Sequence, residues 1–339
     1  MRIAVHIRKL EPFSFASYRD NVMAQLEKMG CIFVPFSAVA DIHNVDLIWE
    51  PGIGGSRIPR LDILKLGIPV VVTCHGASPF VLSMRENWHS LKGFIKEQLM
   101  MWADRLVWLQ LKRKVAGIIA VSAFGAAEIT RVFNLPADKV SFIHHGVDHE
   151  IFCAMGEQEP NHGRSYFLCV AQNQPLKNVD RLLLAYQALP ETTRPDLVLI
   201  IPGYPKTITI PGVHILYDKQ SAQTLANWYR GALGFVFPSL RESFGMPIIE
   251  AMACGCPVIT SNNSACKEVS GDAAILLNPR DENAITAALL QLASNAPLRA
   301  ELTQKGLARA QQFTWQRSAE QHLSEFKRAI SETQTEQNL

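Results

Sequence analysis

Glu242 and Glu250 stand on either side of the turn Ser243-Phe244-Gly245-Met246-Pro247. The apolar run GFVFPS ends just before them at Ser239, so LRESFGM reads as the polar loop beyond a strand's carboxyl end. Pro247 suits a first helical position, where its missing N–H costs nothing. Gly255 suits a helix stop and Pro257 forbids continuation, which predicts a helix over 247–254 with Glu250 in its first turn. The free N–H groups of such a helix start form an anion site, and Gly245 lets backbone approach a ligand closely. The chemistry on offer is an anion held by backbone N–H groups, with two carboxylates beside it. A glutamate near a helix start also has an ordinary role as a dipole complement. It is the set of strand, polar loop, Gly, Pro and Gly stop around the pair that singles the segment out.

Other reactive side chains form no comparable set. His144 and His145 are adjacent in KVSFIHHGVD, and neighbours on a strand point to opposite faces, so they make a poor chelate and read as structural. Cys254 and Cys256 flank Gly255 and read as packing. The seven cysteines (31, 74, 153, 169, 254, 256 and 266) show no CxxC spacing, which suits reduced thiols in a cytoplasmic protein. No Asp-x-Asp is present to hold a metal, and none is expected.

The elements that must position these residues alternate. RIAVHI, CIFVPF, VDLIWEPGIGG, PVVVTCHG, VAGIIAVS and KVSFIHHGVD read as strands, with helices predicted over 17–30 and 123–133 between them. Residues 153–165, CAMGEQEPNHGRS, lose periodicity and read as a linker. The pattern then restarts: strands at 166–171, 196–203 and 234–239 alternate with helices over 178–189 and 221–232. Further helices are predicted over 282–295, 297–313 and 314–330, with a frayed tail after them. This is an α/β pattern of two doubly wound parallel sheets. The expected division is 1–152, a linker at 153–165, 166–313, and a last helix over 314–330 that returns to the first domain. Ligands in such sheets sit beyond the carboxyl ends of strands, and two such domains facing each other give a central cleft.

A chain of 339 residues is too long for one core and suits two domains. Its 48% hydrophobic and 19% charged residues describe a folded protein, and a net charge of +2 offers no general field for nucleic acid. The opening apolar run is too short for a leader, and Val115–Ala127 is too short to cross a bilayer, for which about 20 residues are needed. The expectation is a cytoplasmic protein. The segment 92–114 mixes aromatics with Lys and Arg; it reads either as a core helix with a solvated face or as a peripheral contact with the inner face of a membrane.

The stretch FPSLRESFGMPIIEAMACGCPVITS, with GDAAILLNPRD after it, resembles the donor-binding signature of the glycosyltransferases called group 1 or family 4. VVVTCHG, IIAVSAFGAAEITRVFNLP, VSFIHHGVDHEIF, QPLKNVDRLLLAY and FTWQRSAEQHL match in order and spacing, so the resemblance covers nearly the whole chain and is weakest over its first 60 residues. It implies the GT-B fold, two Rossmann-like domains with the active site between them. It implies transfer of a hexose from a nucleotide diphosphate sugar, with retention of configuration and without a metal or other cofactor. By position, Glu250 would hold the donor ribose hydroxyls and Glu242 the sugar's ring hydroxyls. The backbone N–H groups of Phe244, Gly245 and Met246 would meet the sugar and diphosphate. Lys177 would stabilise the leaving diphosphate, and His75 would contact the donor sugar.

Two departures stand out. The family often carries Arg near this lysine, where the chain has Gln172 and Leu176; Arg241 or Arg8 could compensate. The family's Gly-Gly loop after the first strand is replaced by RKLEPFSFAS, and PGIGGS follows a different strand. The signature is similar to O-antigen mannosyltransferases, so GDP-mannose is the first expected donor and a UDP-hexose the second. The acceptor would be a saccharide or lipid-linked glycan of a surface polysaccharide. The alternatives are a non-catalytic nucleotide-sugar-binding or scaffold subunit, and a nucleotide-sugar epimerase or hydrolase on the same fold. An NAD dehydrogenase is disfavoured, because no GxGxxG follows the first strand.

Overall fold

The computed structural model describes the chain apart from residues 9–10, 55–59, 78–79, 84–85, 87–90, 160–162, 193, 206 and 338–339. It divides into two compact units. One comprises Met1–Leu82, Ser90–Gly146 and Trp315–Leu339; the other comprises Ser83–His89 and Val147–Thr314.

The first unit holds a six-stranded sheet. Its strands are β1 (Arg2–His6), β2 (Ile32–Phe36), β3 (Leu47–Ile53), β4 (Val70–Cys74), β5 (Gly117–Ala120) and β6 (Val140–Phe142), in the order β2-β1-β3-β4-β5-β6 and parallel throughout. Helices α1 (Phe13–Lys28), α2 (Leu91–Lys114) and α3 (Ala123–Phe133) alternate with them. β3, β4 and β5 are buried along their length, as parallel strands covered on both faces must be. Leu111, Trp108, Ile129 and Phe133 pack against Ile48, Val72 and Ile118 on one side. The segment expected as a loop after β1 is helical from Phe13 onward, four residues before the predicted start, with the Pro12 carbonyl accepting from Phe15 and Ala16. Gly55 and Ser56 of PGIGGS, like Lys9 and Leu10, lie outside the described residues.

The second unit repeats the plan with β7 (Tyr166–Val170), α4 (Val179–Gln187), β8 (Asp196–Ile200), β9 (Val213–Leu216), α5 (Ala222–Gly231), β10 (Gly234–Phe237), α6 (Met246–Ala253), β11 (Val258–Ser261), α7 (Ser264–Ser270), β12 (Ala274–Leu277), α8 (Glu282–Ser294) and α9 (Ala296–Ala310). Its parallel order is β12-β11-β10-β7-β8-β9. Leu182, Tyr186 and Leu289 fill one face against Phe167, Leu199 and Val236. The expected limits at 152 and 165 fall inside this unit. Phe152 packs edge-on against Tyr229 with ring centroids 6.2 Å apart, and Arg230 donates to the carbonyls of Cys153 and Glu157, at 3.1 and 2.7 Å. A stretch without periodicity can still be held by its backbone.

The last helix, α10 (Trp315–Gln337), belongs to the first unit, where Phe326 lies 5.6 Å from Trp49, centroid to centroid. The tail expected to fray from Ser331 is helical to Gln337: Arg328 pairs with Glu332 at 2.7 Å, and the hydroxyls of Thr333 and Thr335 donate one turn back. All seven cysteines are free thiols, six of them buried. No helix among the described residues is long and apolar enough to cross a membrane.

Candidate functional site

The order of the second sheet marks one place. β7 and β10 are neighbours, but the chain continues from β7 to β8 and β9 on one side and from β10 to β11 and β12 on the other. Where strand order reverses, the connections leave for opposite faces and open a crevice beyond the carboxyl ends of the two strands. The loops there hold Lys177 and Glu242, and the fold joins them: Lys177 Nζ lies 2.6 Å from Glu242 Oε1. Their side chains keep 13% and 11% of their accessible surface, so each is the other's counter-ion where water screens poorly.

Both loops are fixed. The Leu240 N–H donates to the Leu176 carbonyl at 2.8 Å. Asn178 takes a left-handed conformation, φ 63°, and its buried amide donates to the carbonyls of Pro238 and Pro279 at 3.0 and 2.7 Å. Lys177 Nζ stands 5.3 Å from the centre of the Phe237 ring. The Glu242 N–H donates to Ser264 Oγ at 3.1 Å, and its carbonyl accepts from Ala265 at 3.3 Å. An ammonium held this firmly is pre-organised for charge that develops on a leaving group.

Helix α6 begins at Met246, one residue before the predicted start. Glu250 is therefore its fifth residue and lies beyond the first turn, which corrects the expectation that the dipole holds it there. A tyrosine holds it instead: Tyr229 on α5 donates to Glu250 Oε2 at 3.1 Å. Burial pushes the Glu250 carboxyl up to about 7, against which the Tyr229 hydrogen bond pulls down. Phe244 turns its ring into the unit, edge-on to Phe313 at 5.9 Å. Gly245 caps α6 at φ 99°, and a Cβ there would meet Ile248 Cδ1 at 3.1 Å. Gly245→Ala is therefore expected to cost about 1–2 kcal/mol and to displace the Phe244–Met246 backbone. A lower melting temperature together with weakened nucleotide binding would show both effects.

His75 lies in the first unit, just beyond β4. Its Nε2 is 2.8 Å from the Pro51 carbonyl, which can only accept, so Nε2 carries the proton. The ring stacks on Phe15 at 4.0 Å, meets Tyr18 edge-on at 4.9 Å and stacks on His145 at 5.8 Å. His145 is buried, and its pKa falls well below the imidazole range, first through burial and then through the neighbouring imidazoles. It is a packed neutral ring, but it lies beyond β6, which ends at Phe142, so the alternation of faces expected along a strand does not describe the His144–His145 pair. Of the two arginines considered as compensation, Arg8 pairs with the fully buried Glu50 at 3.0 Å, and Arg241 is half-buried with its pKa lowered to about 10 by burial. Among the described residues no cluster of three or more His, Cys, Asp or Glu could hold a metal.

Sequence reasoning brought Lys177, Glu242, Phe244, Gly245, Met246 and Glu250 to one unit and missed three residues that position them: Asn178, Tyr229 and Ser264. Asn178 had a signal, since asparagine after a Pro-containing turn tolerates a left-handed backbone. Tyr229 and Ser264 are 21 and 22 positions from their partners and had none.

Comparison with known proteins matches residues 154–309 to the family model described as glycosyl transferases group 1, and residues 31–151 to glycosyltransferase family 4. The chain is similar to the O-antigen chain mannosyltransferase B of Escherichia coli, 33% identical over 62% of this chain and 60% of that one. It is also similar to the MMP alpha-(1->4)-mannosyltransferase of Mycolicibacterium hassiacum, 28% identical over 80% and 68%. The chain thus spans about 60% of the length of the first relative and two thirds of the second. In fold it is similar to the sucrose-phosphate synthase of Thermosynechococcus elongatus, with a TM-score of 0.74 at 16% identity over 97% of this chain and 99% of that one. It is likewise similar to Anabaena HepE solved with UDP-glucose, with a TM-score of 0.68 at 15% identity over 99% and 100%. Both halves of the chain meet models of one family, and their two parallel sheets have the GT-B architecture: the chain belongs to the group 1, family 4 glycosyltransferases.

Proposed function

We propose that the chain transfers a hexose, mannose in the first instance, from a nucleotide diphosphate sugar to a saccharide or lipid-linked acceptor of a surface polysaccharide, with retention of configuration and without a metal. The observation that carries the reading is the pairing of Lys177 with Glu242 at the strand-order reversal, on loops tied to each other and to α7. Mannose comes from the names of the two curated relatives. A UDP-hexose is the second donor, favoured by the nucleotide sugar in the HepE structure.

In this reading Lys177 offsets charge as the sugar leaves the diphosphate, an interaction strongest in the transition state. Glu242 accepts from ring hydroxyls, Glu250 accepts from the ribose, and the backbone of Phe244, Gly245 and Met246 meets the diphosphate. His75 keeps Nδ1 as its acceptor nitrogen and is assigned to the donor sugar by family resemblance. The first experiment is thermal stabilisation by GDP, UDP and ADP, followed by transfer from the matching sugar nucleotide. Stabilisation by none of the three would overturn the donor site. Release of free sugar without an acceptor would favour a hydrolase.

Glu250 adds a pH signature. A carboxylate accepts ribose hydroxyls better than a carboxylic acid does, so the nucleotide selects the ionised form. With a pKa near 7, nucleotide affinity is expected to rise between about pH 6 and 8, with proton release on binding near pH 7. Calorimetry in buffers of different ionisation enthalpy would measure both, and Glu250→Gln should flatten the profile. The raised pKa also means that protonated Glu250 favours folding. That contribution is present below the ordinary value of 4.5 and is lost as pH rises through about 7.

A further inference from the structure

Four non-glycine residues among those described take a left-handed backbone: Asn44, Asn134, Asn178 and Ser264, with φ of 51°, 50°, 63° and 52°. Three are asparagine, whose short amide tolerates that conformation. Asn134 also closes α3, where a left-handed residue is usual. Ser264 has neither reason. A serine there is strained by its own Cβ, and a glycine would fit at no steric cost. Strain of this kind persists where the surroundings over-determine the backbone.

Here the surroundings are the loop that carries Glu242. β10 and β11 pair in register as far as Phe237 and Thr260. Beyond the sheet, side chains carry the pairing on. Ser261 Oγ donates to the Ser239 carbonyl at 2.6 Å, and Asn263 Nδ2 donates to the Leu240 carbonyl at 3.2 Å. Ser264 Oγ accepts from the Glu242 N–H at 3.1 Å and donates to Asn263 Oδ1 at 3.3 Å. Donors therefore run one way, from Glu242 through Ser264 and Asn263 to the Leu240 carbonyl, and bonds in such a series strengthen one another. The Ala265 N–H completes the clamp by donating to the Glu242 carbonyl at 3.3 Å.

The left-handed turn thus falls at the one residue whose hydroxyl and whose successor's N–H both meet Glu242. Glycine would ease the turn but bring no hydroxyl to it. Glu242 in turn holds the Lys177 ammonium at 2.6 Å. We propose that Ser264 is a positioning residue, whose strained turn sets Glu242 and through it the Lys177 ammonium, so that stability is lost at this position in exchange for the hydroxyl. The consequence for sugar transfer rests on the donor-site reading. The consequence for the Lys177–Glu242 pair does not, and it can be measured without any transfer assay.

Three variants of the full chain separate the hydroxyl from the strain. Ser264→Gly relieves the turn and lacks the hydroxyl. Ser264→Ala keeps the strain and lacks the hydroxyl. Ser264→Thr keeps the hydroxyl on a branched side chain, which a left-handed backbone accepts least. Ser264→Gly should melt above Ser264→Ala by about 2 °C, and Ser264→Thr below the wild type. Turnover should not follow that order. Both hydroxyl-free variants should fall about tenfold with a smaller change in the donor KM, while Ser264→Thr stays within about threefold of the wild type. The second readout is the rate at which a succinimidyl ester acetylates Lys177, followed by peptide mass spectrometry. A loosened pair gives up its proton more readily, so that rate should rise about threefold in Ser264→Gly and Ser264→Ala and hold at the wild-type level in Ser264→Thr. Unchanged acetylation in the hydroxyl-free variants, or turnover that tracks melting temperature across all three, overturns the proposal. If the wild type transfers no sugar, the donor reading fails, and the acetylation rates decide the positioning by themselves.

Discussion

Lys177→Met should lower the turnover number of sugar transfer by about 10²–10³, with a much smaller change in the KM for the donor. The loss corresponds to about 3–4 kcal/mol of transition-state stabilisation. The asymmetry between turnover and KM follows from timing: the diphosphate gains charge as the glycosidic bond breaks, so a cation there matters more in the transition state than in the bound ground state. Lys177→Arg keeps the charge but puts a planar fork where Glu242 accepts a compact ammonium at 2.6 Å, so only part of the rate should survive.

A structural explanation for that loss can be separated from a catalytic one. Removing Lys177 alone leaves Glu242 largely buried without its counter-ion, which destabilises the loop. The double variant Lys177→Met with Glu242→Gln removes both charges, so its melting temperature should recover towards the wild type while turnover stays low. Recovery of turnover together with stability would show that Lys177 acts only by holding Glu242. A single variant with turnover within threefold of the wild type would remove the lysine from the mechanism altogether.

The alternation of apolar runs with amphipathic stretches made both sheets legible, because a parallel strand covered on two faces must be apolar at nearly every position. β9, β12 and α7 escaped. Val213–Leu216 and Ala274–Leu277 are the half-covered edge strands of the second sheet, the first with a histidine in it, and α7 has only two turns to display a period. At the site, the loop before α6 could be read because Gly245, Pro247 and Gly255 each have local backbone reasons to be where they are. The meeting of Lys177 with Glu242 was not legible from either loop by itself. It depends on β7 and β10 being neighbours, a fact of sheet order that no local pattern encodes. The same limit hid Tyr229, which reaches Glu250 from a different helix.

Acid should destabilise the first unit well before its carboxylates are protonated. His322 on α10 is fully buried, with Nδ1 2.7 Å from the Ser318 carbonyl. A carbonyl only accepts, so Nδ1 carries the proton and Nε2 is bare. Tyr18 fills that lone pair, its hydroxyl 2.7 Å away, and the Tyr18 oxygen lies 3.2 Å from Thr73 Oγ1. Thr73 in turn accepts from Trp49 Nε1–H at 3.0 Å. The donors run one way from Trp49 through Thr73 and Tyr18 to His322, and a second proton on the imidazole would point at the Tyr18 hydroxyl. Burial lowers the His322 pKa to about 4. The folded state therefore refuses a proton that the unfolded chain accepts near 6.5. Stability is complete above that value and is lost as pH falls towards 4, by roughly 3 kcal/mol for this residue. His145 adds in the same direction, while Glu250 in the second unit works in the opposite one. Melting temperatures between pH 7 and 4.5 should fall for the wild type. Tyr18→Phe with His322→Met removes both ends of that bond but leaves the buried Thr73 hydroxyl without its acceptor, which should cost about 1–3 kcal/mol at pH 7, while the fall in melting temperature towards pH 5 should be shallower than in the wild type. A wild-type melting temperature that is flat over this range, or a double variant that falls as steeply, would show that the buried histidine is not what ties the last helix to neutral pH.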